Sequence, residues 1–238
     1  MSETGHARNV EHFEQMISFV TGYGAAYDPA NADLTIVKLQ AKLADAQNGI
    51  DVVTSALAPW KVVVNDRQNV FEGIRKLTTR IVNSFAASGA PQNAIDDAKS
   101  FKRKIDGKRA ETLVDDPNTP EDESQGISVS QQSYTQLVEH FDNLIELLTN
   151  SGYNPNEVNL QIATLNTYSA SLKSANTAVM NAITPLSNAR INRDDVMYAD
   201  VAGLVTRAGL VKMYVKSLFG ADSPQFKQIS GLEFVRPR

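Results

Sequence analysis

Ile36-Val37-Lys38-Leu39-Gln40-Ala41-Lys42-Leu43-Ala44-Asp45-Ala46 opens the run that decides the fold. Ala32, Ile36, Leu39, Leu43, Ala46, Ile50, Val53, Leu57, Trp60, Val64, Arg67, Phe71 and Ile74 follow one another at alternating steps of four and three. Such steps average about 3.5 residues, the period of a helix whose apolar seam stays turned toward a neighbouring helix. The second half of the chain repeats the register through Val158, Ile162, Leu165, Ser169, Leu172, Asn176, Val179, Ile183, Leu186, Arg190, Arg193, Met197 and Asp200. Each run predicts one continuous helix of about 60 Å at ~1.5 Å per residue. Pro59 and Pro185 fall inside these runs. Proline removes a backbone hydrogen bond and costs ~3 kcal/mol in a helix interior. The register crosses both prolines unbroken, which predicts a kink; a helical hairpin turning there is the alternative.

Outward from the long runs, an ordered series of matches links the two halves. Val10-Glu11-His12-Phe13 recurs as Val138-Glu139-His140-Phe141, and Tyr27-Asp28-Pro29 as Tyr153-Asn154-Pro155. Pro59 then matches Pro185, and Arg67 matches Arg193; with a shift of one residue Leu77-Thr78-Thr79-Arg80 matches Leu204-Val205-Thr206-Arg207. Phe101-Lys102 and Phe226-Lys227 close the series. Self-similarity kept in order over this length predicts a duplicated structural unit. The expected fold is all-α, a tandem duplication of a helical bundle, each copy with one long kinked helix. Asp115-Asp116-Pro117-Asn118-Thr119-Pro120-Glu121-Asp122-Glu123-Ser124 reads as a solvated acidic linker. The expected domains are 1–107 and 130–238, with the linker at 108–129.

Each copy opens with a short amphipathic helix. Val10, Phe13, Met16, Ile17 and Val20 share one face, as do Val138, Phe141, Leu144, Ile145 and Leu148. Asp28-Pro29 and Asn154-Pro155-Asn156-Glu157 resemble helix starts, with a capping side chain, proline at the first helical position and Glu placed for a capping box. A third helix, marked by Leu77, Ile81, Val82 and Phe85 or by Leu204, Leu210, Val211, Tyr214, Val215 and Leu218, is expected to run back along the second. A short last helix follows near 92–104 and 224–229.

Net charge is −4, so no global positive field draws the chain to nucleic acid or to an anionic membrane. There is no cysteine, which excludes disulfides, thiolate metal sites and a thiol nucleophile. The first residues contain no apolar leader segment, and no stretch reaches the ~18 uncharged apolar residues of a membrane-spanning helix. A cytoplasmic location is the resulting expectation; export without a leader leaves no motif in a sequence.

The three histidines are His6, His12 and His140. His6 is expected in a mobile tail. His12 and His140 are equivalent and border the apolar face of each first helix, where a core-edge role and a ligand role compete. No His-x-x-x-His pair occurs, and Glu-x-x-His occurs once, at Glu3 and His6, without the second such pair that a di-metal bundle uses, so no metal site is expected. No Gly-x-Ser-x-Gly elbow, Gly-x-Gly-x-x-Gly turn or phosphate loop occurs, so neither catalytic residues nor a cofactor are expected. Lys99, Lys102, Arg103, Lys104, Lys108 and Arg109 form the basic cluster of the chain. It reads either as an anionic contact or as a solvated helix end whose cations suit the C-terminal dipole, the acidic linker lying close enough to pair with it. Arg67 and Arg193 occupy the same heptad core position, where an apolar residue is expected. Each can snorkel at the bundle edge, pair with an inward carboxylate, or point into a polar groove.

Tyr214 to Leu232, and Asn188-Ala189-Arg190-Ile191-Asn192-Arg193-Asp194 before it, resemble segments of a group of uncharacterised bacterial all-helical bundle proteins. That resemblance implies the fold and brings no activity with it. The expected function is a non-enzymatic helical scaffold or protein-interaction protein. A membrane-active, pore-forming type of protein and a metal- or small-ligand-binding bundle are the alternatives. The expected partner is protein, without nucleic acid or a transmembrane segment, in an oligomeric state left open.

Overall fold

The computed structural model describes residues 4–108 and 132–236, and among them the chain is helical with no strand. The α-helices are α1 (Thr4–Gly22), α2 (Ile36–Glu72), α3 (Ile74–Ala87), α4 (Gln92–Asp106), α5 (Tyr134–Asn150), α6 (Ile162–Tyr198), α7 (Leu204–Phe219) and α8 (Pro224–Ser230).

The two long helices, α2 and α6, each contain 37 residues and run without a break through Pro59 and Pro185. The hairpin alternative is thereby excluded. Both prolines lie on exposed surface, as do Ser55 and Asn181 one turn earlier. Water can reach the carbonyls that lose their helical partners, which explains why a helix interior tolerates proline here. The heptad seam is also real. Leu165, Leu172, Val179, Leu186 and Arg193, spaced by seven, are all buried on α6. Leu39, Ala46 and Val53 do the same on α2.

The helix starts expected at Pro29 and Pro155 are displaced. Short 3-10 turns, Ala32–Leu34 and Val158–Leu160, come between the prolines and the long helices. They turn Leu34 and Leu160 into the core before the helix begins. The Tyr27 hydroxyl secures the first by donating to the Leu34 carbonyl at 2.9 Å. Asn31 supplies the cap, accepting from the Asp33 amide at 3.0 Å, whereas Glu157 makes no side-chain cap bond. The capping box stands elsewhere, at the start of α5. There Ser133 Oγ accepts from the Gln136 amide at 3.2 Å and Gln136 Oε1 accepts from the Ser133 amide at 3.3 Å.

The chain packs as two compact units, of which the first is assembled from both ends of the sequence and the second from its middle. One comprises Met1–Trp60 with Ala182–Arg238, the other Lys61–Asn181. In the first, the α1 face of Val10, Phe13, Met16, Ile17 and Val20 joins Leu39 and Ala46 of α2, Leu204, Ala208, Val211 and Val215 of α7, and Ile229 of α8. A small cluster of Val53, Leu186 and Ala189 extends that unit between α2 and α6. In the second, Phe141, Leu144, Ile145 and Leu148 of α5 join Ile81, Val82 and Phe85 of α3, Ile95, Ala98 and Ile105 of α4, and Leu165 and Leu172 of α6.

The packing units are therefore not the expected domains 1–107 and 130–238. Each first helix is covered by the trailing helices of the other half. The third helix likewise does not simply retrace its own long helix: the buried face of α3 shares its core with α5 and the start of α6, and that of α7 with α1. Beyond Lys108, the expected linker lies outside the described residues.

Candidate functional site

The residues singled out by sequence divide between the units. Arg193, in the first, is 3% exposed at the end of the buried α6 seam. Its Nε and Nη2 donate to Asp194 Oδ1 at 2.9 and 2.8 Å. Opposite it stands Gly49 of α2, where an added Cβ would lie 3.4 Å from Arg193 Cα and Cβ. A glycine inside a helix costs ~1 kcal/mol relative to alanine. At this point it leaves room for the Arg193 backbone.

The same unit holds a buried polar network at the α1 start. His6 and Asn9 are 3% and 1% exposed, so His6 belongs to a helix and not to the expected tail. His6 Nδ1 and the Tyr198 hydroxyl are hydrogen-bonded at 2.7 Å. Asn9 Nδ2 donates to that hydroxyl at 3.3 Å and to the Val235 carbonyl at 2.8 Å, and Asn9 Oδ1 accepts from the Val235 amide at 2.9 Å. Burial raises the Tyr198 pKa above the ordinary phenol value; the Asn9 bond and Arg193 oppose the shift and Asp194 adds to it. His12 Nδ1 donates to the Glu233 carbonyl at 2.7 Å, and Lys212 Nζ donates to the Ser230 carbonyl at 3.1 Å and to that of Leu232. Asn9, His12 and Lys212 thus hold the segment 230–235 by its backbone, while Leu232 buries its side chain. These groups are engaged in holding chain against chain.

In the second unit Arg67 takes a different partner. Its guanidinium carbon stands 4.1 Å from the centre of the Tyr134 ring, a cation–π contact. Tyr134 in turn meets Phe71 edge-on, with centroids 4.7 Å apart. Arg67 Nε has no hydrogen-bond partner. Arg67 and Arg193 thus share a register position but not an environment. The histidines diverge as well. His140 is buried with Nε2 unpartnered, and burial, then Lys104, lower its pKa, with Glu139 opposing. Among the described residues no group of three or more His, Asp or Glu is placed to hold a metal, and no helix is long and apolar enough to cross a membrane.

Sequence reasoning missed the outer face of α6 in the second unit. From Ile162 to Asn181 the sole charged residue is Lys173. That charge is matched by Asp142 of α5 at 2.8 Å. Ser169, a polar residue in the seam, donates to the same carboxylate. Around them Thr164, Thr167, Ser171 and Thr177 are exposed, yet their hydroxyls fold back onto the carbonyls of Val158, Ala163, Tyr168 and Lys173. Met180 stands 66% exposed on the same segment. The signal that reveals this face is the charge count along residues 162–181.

No protein family, curated protein or solved structure matches the chain.

Proposed function

We propose that this chain is a non-enzymatic helical interaction protein, formed by tandem duplication, whose outer α6 face in the second unit receives a protein partner. The duplication draws support from the ordered motif series and from the repeated element order, in which two 37-residue helices carry proline at the same place. The observation that carries the function is the nearly charge-free face of Ile162–Asn181. Solvated helices usually expose many charged residues, at ~25–35% of a surface, whereas interface centres are depleted of them. Hydroxyls already bonded to their own backbone lose little when water leaves, so docking a neutral protein surface there carries a small desolvation penalty.

A photo-crosslinking residue at Thr177 tests this in the producing cell, with the same residue at exposed Lys38 as control. A discrete protein adduct specific to Thr177, abolished by Ala170→Glu without loss of helicity, is the expected result. Equal adducts at both positions, or none at Thr177, would refute the docking face. Leakage of dye-loaded vesicles on adding the chain would favour the membrane-active alternative instead.

A further inference from the structure

The basic cluster flagged in the sequence acquires a shape in the second unit that a solvated helix end does not require. Between the first turns of α3 and the last turns of α4 lies an open cleft of about 290 Å³, lined by Arg75, Lys76, Thr79, Lys102, Asp106 and Lys108. Four cations thus face one carboxylate, and that carboxylate is already paired with Lys102. The chain as a whole is acidic, so this concentration runs against its overall charge.

Helix dipoles account for only part of it. Arg103 and Lys104, in the last turn of α4, sit where cations are favoured. Arg75 and Lys76 do not. They occupy the first turn of α3, which contains no acidic residue, and there the dipole opposes positive charge. In the matched series of the other half, Ala202 and Gly203 stand at these places, so the fold itself does not demand cations.

The cleft is also held in form. Arg75 Nε donates to the Ile105 carbonyl at 3.3 Å and Nη2 to Gln132 Oε1 at 3.3 Å. Gln132 Nε2 donates to the Lys104 carbonyl at 2.7 Å. Gly107, left-handed at φ 73°, closes α4, and its amide and that of Lys108 return to the carbonyls of Lys104 and Arg103. Two hydrogen bonds thereby tie Arg75 to the cleft wall, and Arg75, Lys76 and Lys108 all lie on exposed surface.

We propose that this cleft binds a small polyvalent oxyanion of the phosphate class, held by Lys76, Lys102 and Lys108 against the guanidinium of Arg75. Its volume lies at the lower end of small-ligand pockets, ~300–1,000 Å³, which suits a diphosphate-sized group and not an extended polymer. Binding relieves the mutual repulsion of the four cations, so the anion stabilises the folded chain by mass action.

Inorganic pyrophosphate is the probe. Thermal unfolding of the full chain is followed with pyrophosphate and with sodium chloride at equal ionic strength, in wild type and in the Lys76→Gln/Lys108→Gln double variant. That variant leaves the Arg75 hydrogen bonds in place. The expected result is a rise of several degrees at millimolar pyrophosphate in wild type, largely lost in the variant, with broadening of the pyrophosphate ³¹P resonance by wild type only. An equal rise in both proteins would show general salt stabilisation and overturn the site. So would an unbroadened ³¹P signal with wild type. Should the variant fail to fold, the ³¹P measurement on wild type decides alone. Salt-dependent binding of single-stranded RNA with pyrophosphate inert would also overturn the small-anion assignment.

Discussion

Gly49 and Arg193 face one another across the α2–α6 contact, so that a Cβ added at Gly49 would stand 3.4 Å from both Cα and Cβ of Arg193. That separation is van der Waals contact: one methyl group fits and a branched side chain does not. Gly49→Ala is expected to stabilise the chain by ~0.5–1 kcal/mol through helix propensity. Gly49→Leu is expected to destabilise it by ~1–3 kcal/mol through overpacking. Urea unfolding of both variants checks the pair; a stable Leu variant would show that the helices do not approach closely here.

Arg193 continues a seam of Leu165, Leu172, Val179 and Leu186, and its carboxylate partner Asp194 remains partly in solvent. Arg193→Leu should therefore leave stability unchanged or raise it, because the seam becomes uniformly apolar and Asp194 keeps water. Arg193→Ala should cost ~1–3 kcal/mol by opening a cavity and losing the packed stem. If the Leu variant were as destabilised as the Ala variant, the ion pair and not the packing would be the dominant contribution.

Arg67 and Tyr134 form a contact whose strength a double-mutant cycle can isolate. Arg67→Gln and Tyr134→Leu are expected to show a coupling of ~0.5–2 kcal/mol, the range for a partly desolvated cation–π pair. Additive effects would mean that the ring and the guanidinium are neighbours without interaction.

His140 makes stability depend on pH. Its pKa in the folded chain is lowered from the ordinary 6.5 by burial and by Lys104. The unfolded chain therefore takes up a proton first as pH falls. The contribution of neutral His140 is complete above pH 6.5 and is lost progressively as pH drops toward the folded-state pKa, below which it declines no further. His140→Leu should flatten this part of the stability profile, as read from urea midpoints between pH 7.5 and 5. An unchanged slope would assign the dependence to other groups.

Each core draws on both halves of the chain, and this predicts how fragments behave. Residues 1–108 alone lack the α7 and α8 cover for α1, and residues 132–238 lack the α3 and α4 cover for α5. Each fragment should be poorly helical or self-associated by itself, and an equimolar mixture should recover cooperative unfolding. Two fragments that each melt cooperatively as monomers would contradict the observed division of the core.

Read alone, the sequence determined what depends on local periodicity. The four–three register specified long helices that outlast an internal proline, because the heptad face and the helical backbone are properties of neighbouring residues. It also put Arg67 and Arg193 at one register position, of which the structure buries Arg193 and leaves Arg67 half-buried, and the α6 charge count was there to be read. Partner choice was beyond it. An apolar stripe states which face is buried and not what buries it, and two similar halves offer each first helix two chemically similar sets of covering helices. Only the tertiary structure decided that α1 lies with α7 and α8, and α5 with α3 and α4. The same limit separates His12 from His140: equivalent in register, they differ because Glu233 and Lys104 reach them through packing, as Tyr134 reaches Arg67, whereas Arg193 finds Asp194 beside it where Gln68 follows Arg67.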